Sequence, residues 1–222
     1  MIVSCPSNHS NHRPRFITIQ IFMSEILTPQ ERLEKIVDTA YEILCGKVAS
    51  GSISIDNEAA LQLQLSVILE QLGRLYELAP TDRFSISLEK VINNLSQKTT
   101  KSPNGKARCD IMLQLQDAQI AIELKCFIPD GNTTEPVTEN RFKVLCDIEN
   151  LEQYRKDYGF TGYEIVYTNN KNHTNSKSIG ENGIAKGVHT INKNQKSVML
   201  NDPYPCKWDE YNGKHFFLKI KV

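Results

Sequence analysis

The chain carries no net charge. Its 26 Lys and Arg are matched by 26 Asp and Glu, and its pI is near 6.9. A protein that holds nucleic acid through overall basicity is excluded, so any contact with a polyanion has to come from local patches. No apolar run approaches the ~20 residues that cross a membrane as a helix. The first twenty residues lack the basic-then-apolar order of a secretory signal. None of the six cysteines (Cys5, Cys45, Cys109, Cys126, Cys146 and Cys206) stands in a CxxC pair, which removes a zinc ribbon. There is no GxxxxGKS or GxxxxGKT loop, and with it goes an ATP-driven motor. No internal repeat is visible.

What remains is a chain of 222 residues, 40% hydrophobic, which suits one domain with a full core. Residues 1–22 are polar, with Asn8, His9, Ser10, Asn11 and His12 in succession, and read as a disordered extension. Met23 offers an alternative start. Residues 23–222 are then the single domain. Cys109 and Cys126 fall in apolar runs and read as small core residues rather than a disulfide, which suits a reducing cytoplasm.

Local signals divide the chain into elements. Thr28 as N-cap, Pro29 at N1 and Glu31 at N3 predict a helix from Pro29 to Leu44, with Gly46 as its stop. A second helix is predicted from Asp56 to Tyr76, with Leu61, Leu65, Ile68, Leu72 and Leu75 on one face. Arg83 to Ile92 alternates and reads as a strand. Asn93 to Gly105 is a polar loop. Two apolar runs, 109–113 and 120–127, are separated by Gln116 to Gln119 and predict a hairpin. Ile128 to Asn140 is a loop, and Arg141 to Tyr158 a third helix broken by Gly159 to Gly162. Tyr163 to Thr168 is another strand. Residues 169–196 show little periodicity, and short strands are expected at Ser197–Leu200 and His215–Val222.

The hairpin carries the chemistry. Asp110 interrupts the apolar run Cys109-Asp110-Ile111-Met112-Leu113. Glu123 and Lys125 interrupt Ile120-Ala121-Ile122-Glu123-Leu124-Lys125-Cys126-Phe127. Strand alternation points Glu123 and Lys125 the same way, with Leu124 and Cys126 on the other face. The apolar neighbours make this a central strand. Charges buried there are costly unless they are paired or bind a metal.

Asp110 together with Glu123-Leu124-Lys125 resembles the PD-(D/E)XK nuclease superfamily, the restriction-endonuclease-like fold. The position before the Asp holds Cys109 where the family's name has Pro. With its flanking elements the resemblance extends over roughly residues 56 to 170. The element order, one helix, three strands, a helix and a strand, is the α-βββ-α-β core of that α/β fold, a mixed sheet flanked by helices. The resemblance implies a metal-dependent DNA endonuclease, in restriction, phage defence or DNA processing. Asp110, Glu123 and the Leu124 carbonyl would hold Mg²⁺, with Mn²⁺ as a substitute. Lys125 would orient the attacking water or offset charge on the phosphate.

Glu58 is the expected fourth member, since the family often places a Glu on the helix before the sheet. It shares a face with Gln62, Leu65 and Leu69 and is expected to point inward. A plain acid at a helix N-terminus is the competing account. Lys98, Lys101, Lys106 and Arg108 lead into the Asp110 strand and read as a phosphate-contacting patch. Lys171, Lys177, Lys186, Lys193 and Lys196 decorate the Asn-rich segment. A homodimer is expected, because cutting both strands needs two sites. The alternatives are a non-catalytic nucleic-acid-binding protein on the same fold, and a nuclease acting on RNA or branched DNA.

Overall fold

A computed structural model describes residues 27–129, 136–175, 179, 183–191 and 196–222. The expected extension at 1–22 lies outside these residues, as do Lys177 and Lys193.

The capping box at Thr28 forms as its residues predict. The Thr28 hydroxyl accepts from the Glu31 N–H, and the Glu31 carboxylate accepts from the Thr28 N–H. It opens α1 (Pro29–Ala49). Gly46 does not stop this helix. The left-handed backbone that ends it is at Gly51, φ 74°, just beyond the C-cap Ser50. Next comes α2 (Glu58–Leu75), which starts two residues later than expected because Asn57 is its N-cap, with a side chain that accepts from the Ala60 N–H.

Then follow β1 (Phe84–Ile92), β2 (Ala107–Leu115) and β3 (Ala118–Phe127). The hairpin turn is tighter than the sequence implies, only Gln116 and Asp117, with Gln116 at φ 56°. The third helix, α3 (Val137–Tyr158), begins inside the expected loop, directly after Pro136, and ends at Gly159 with φ 73°. It leads to β4 (Thr161–Thr168). The segment beyond contains a 3-10 turn at Lys171–His173, then β5 (Gly187–Ile191), β6 (Lys196–Leu200), β7 (Trp208–Tyr211) and β8 (His215–Lys221).

Six strands form one mixed sheet in the order β1-β2-β3-β4-β8-β7. Every neighbouring pair is antiparallel except β3 and β4, which run parallel and are joined by α3. β5 and β6 form a separate antiparallel pair beside α3.

Side-chain alternation gives the sheet two cores. On one face Ile111, Leu113, Ile120, Ile122 and Leu124 pack under α1 and α2. On the other, Met112, Ala121, Val166, Leu218 and Ile220 pack under α3 and the β5–β6 pair. Each fully buried aliphatic side chain contributes about 1.5–3 kcal/mol. The central strands are therefore fixed from both sides, and β3, third in the order, is the rigid element that carries Glu123 and Lys125. Among the described residues no helix is long and apolar enough to cross a membrane.

Candidate active site

Alternation along β3 turns Ala121, Glu123 and Lys125 away from the α1–α2 core and toward α3. The residues of α3 that meet them are Asp147 and Tyr154, spaced to lie on one helical face. Glu123 is fully buried, Asp147 is 1% exposed and Lys125 is 9% exposed. The Lys125 ammonium is 2.7 Å from Asp147 Oδ2 and donates to the Leu124 carbonyl at 2.6 Å. The Tyr154 hydroxyl donates to Glu123 Oε1 at 3.3 Å. A second ammonium arrives from the β1–β2 loop: Lys101 Nζ lies 2.7 Å from Glu123 Oε2 and 2.5 Å from Asp147 Oδ1.

Parallel pairing sets Glu164 of β4 beside Glu123. Glu164 is fully buried, and among the described residues neither of its carboxyl oxygens has a hydrogen-bond partner. Three buried carboxyls, Glu123, Asp147 and Glu164, thus share two ammoniums. Burial is the main reason that the Glu123 and Glu164 carboxyls hold protons well above the usual carboxylate range, and the charge of Asp147 adds to it. Lys101 and Lys125 stay charged. Burial works against their ammoniums, but Glu123 and Asp147 around Lys101, and Asp147 and Glu164 around Lys125, outweigh it. Of the three, Glu164 alone makes no ion pair among the described residues.

Asp110 is held differently. The β2–β3 ladder runs from Leu115 opposite Ala118 to Ile111 opposite Ile122 and stops. Just beyond, the Asp110 carboxylate accepts the Leu124 N–H at 2.7 Å. Gln62 of α2 donates to the Asp110 carbonyl and to Glu89 Oε1, both at 2.9 Å. Glu89, opposite this break, has φ 53°. A cavity of about 150 Å³ opens here, lined by Glu58, Gln62, Glu89, Asp110 and Leu124. Burial raises the Asp110 carboxyl, while the Leu124 N–H and the Lys125 and Lys101 charges pull it back.

Asp110 therefore opens toward α2, whereas Glu123 faces α3. Lys125 joins the two sides, since its ammonium lies 3.7 Å from Glu58 Oε2 as well as against Asp147. Glu58 reaches toward Lys125 from the edge of the site. It occupies the first position of α2 and its side chain is 48% exposed, at the mouth of the cavity. The phosphate patch is corrected in one member. Lys101 turns its ammonium onto Glu123 and Asp147 while its side chain stays 34% exposed; Lys98, Lys106 and Arg108 are exposed, with Arg108 3.6 Å from Glu89.

Asp147, Tyr154 and Glu164 were not legible as site members in the same way. Glu164 did carry the signal that marks Asp110, one charge inside the apolar run Tyr163-Glu164-Ile165-Val166-Tyr167. Among the described residues no group of three or more His, Cys, Asp or Glu side chains is gathered closely enough to hold a metal ion. Comparison of the chain with protein-family models, with curated proteins and with solved structures gave no match.

Proposed function

We propose that this protein is a metal-dependent DNA endonuclease whose sheet and helices are a restriction-endonuclease-like fold. One observation carries the reading. Where β2 and β3 part, Asp110 opens toward α2 and Glu123 toward α3, and Lys125, set between Glu58 and Asp147, ties the two sides. Nothing in ordinary core packing favours burying this many charges in two central strands, since apolar residues of similar volume are as stable or more so.

The donor types suit a hard divalent cation, and Glu58, Glu89 and Asp110 would have to draw together around one. Glu58, Glu89, Asp110 and the Leu124 carbonyl offer only oxygen, with no imidazole or thiolate among the residues lining the cavity. Mg²⁺ or Mn²⁺ would be held in this cavity by Asp110 and the Leu124 carbonyl, with Glu58 at the mouth; Glu123, on the other side of β3 and bridged by Lys101, would have to turn to join them. Such a cation supplies Lewis acidity and a more acidic bound water. The chain's own residues do the rest. Lys125 presents an ammonium to charge developing on the phosphate, in a setting too dry for water to screen it. Asp147 holds that ammonium in place. Tyr154 orients the Glu123 carboxylate. Cutting of both strands would use two copies of the chain.

A second reading has an observation behind it. Lys101 already bridges Glu123 and Asp147. An internal cation there suits a non-catalytic nucleic-acid-binding protein with a sealed cluster.

Plasmid cleavage by purified protein in Mg²⁺ and in Mn²⁺, against EDTA, separates the two. Cutting is expected with metal and is expected to vanish in Lys125→Ala and Asp110→Asn. The second variant keeps the size and shape of the native side chain. A folded protein that cuts neither plasmid, single-stranded DNA nor RNA in either metal sinks the hydrolytic reading.

A further inference from the structure

Beside the buried cluster lies a cavity of about 620 Å³. Its size falls within the ~300–1,000 Å³ of sites that enclose a small molecule. We infer that it takes one unstacked nucleotide of a single strand, so that the substrate is unpaired where it meets the site; this rests on the hydrolytic reading above.

The lining has two characters. Phe142, Cys146 and Ile191 make an apolar wall. Among the described residues, Lys101, Lys125, Lys143 and Lys196 face the same space against two acids, Glu139 and Asp147. Lys101 and Lys125 are already paired with Glu123 and Asp147 inside the cluster. The charge left for a ligand is that of Lys143 and Lys196. Both are exposed, and neither makes an ion pair among the described residues. The Lys143 ammonium is steadied by Asn140 Oδ1 at 3.1 Å.

An apolar wall opposite two ammoniums selects a ligand with a flat apolar body and an anionic group. A nucleotide has that form. The cavity is lined by Lys125 and Asp147, so a base lodged against Phe142 would bring its own phosphate beside Lys125, the residue that joins the two sides of the site. A base inside a duplex cannot enter a cavity of this kind without leaving the stack, at a cost of a few kcal/mol that a single strand does not meet. Base contact with an apolar wall is sequence-tolerant, because every base has an apolar face.

The test is binding without metal, so that no cutting intervenes. Fluorescence anisotropy in EDTA would follow a 5′-phosphorylated single-stranded oligonucleotide and the same sequence as a blunt duplex, on the full chain. The single strand is expected to bind more tightly. Lys143→Ala with Lys196→Ala is expected to weaken it about tenfold, the loss of one charge-assisted contact. Both residues are at the surface, and circular dichroism of the double variant verifies the fold. A nucleoside 5′-monophosphate should compete, and inorganic phosphate at equal concentration should not. Equal or tighter binding of the duplex overturns the inference, and so does an unchanged affinity in the double variant. If metal-dependent cutting persists in those cases, only the nucleotide site falls. Selective single-strand binding without any cutting removes the hydrolytic reading instead.

Discussion

At the scale of single residues, Glu164 poses the sharpest electrostatic question. It is buried beside Glu123 with no donor to either oxygen among the described residues, so the folded chain keeps it protonated above its ordinary value of 4.5. The unfolded chain releases that proton near 4.5 and the folded chain only at higher pH. The folded state therefore binds more protons in this window, and the contribution of Glu164 to stability falls as pH rises through it. Glu164→Gln removes the share of this dependence that belongs to Glu164. The variant should match the native chain near pH 4.5, then gain on it by about 1.4 kcal/mol per pH unit until the folded carboxyl ionises. Urea denaturation at several pH values measures this, and a gap that does not widen with pH would refute it. The same residue shows what sequence can deliver. Glu123 and Lys125 were readable because alternation puts two charges on one face of an apolar strand. Asp147 and Tyr154 were not, because on a helix a polar residue facing the core resembles one facing water until the partner strand is known. The inward turn of Lys101 was hidden for a similar reason, since a loop lysine reads as solvated.

At the scale of elements, the α2–β1 contact is set by a missing side chain. A Cβ built on Gly73 would overlap the ring of Phe84, which is 3% exposed and has nowhere to move. Helix propensity alone favours Gly73→Ala by about 1 kcal/mol. Overpacking costs about 1–3 kcal/mol. Packing should win, and Gly73→Ala is expected to lower stability by about 1 kcal/mol in urea denaturation; a more stable variant would show that α2 shifts freely on β1. The helices and central strands were legible because their apolar periods are long and their caps explicit, as at Thr28. Their ends were less so. Gly46 lies inside α1, because a glycine ends a helix only where the backbone turns left-handed. β5 and β7 escaped notice. Gly187–Ile191 alternates between partly exposed positions, and the four residues of Trp208–Tyr211 are too few to show a period.

At the scale of the whole molecule, binding and stability are linked. If a divalent cation binds the folded chain and not the unfolded one, it stabilises by about 2.7 kcal/mol at a concentration 100 times its Kd. Mg²⁺ should therefore raise the melting temperature of the native chain and leave Asp110→Asn nearly unmoved in differential scanning calorimetry. Equal shifts in both would show that the cation binds elsewhere. The zero net charge adds a second expectation. With few lysines meeting phosphate, single-strand affinity should fall with salt at a slope of only about −1 to −2 on logarithmic axes. A steep slope would reveal a wider basic surface than Lys143 and Lys196 supply. The closure of α3 over the β3–β4 pair also bears on time. Glu123, Asp147 and Glu164 come from three separate elements of the chain, and none is dry until the helix lands on the parallel strands. Loop closure over such separations comes before its reward. The dehydration of these groups thus belongs to the barrier, and the rate at which the chain refolds inherits the protonation of its buried acids.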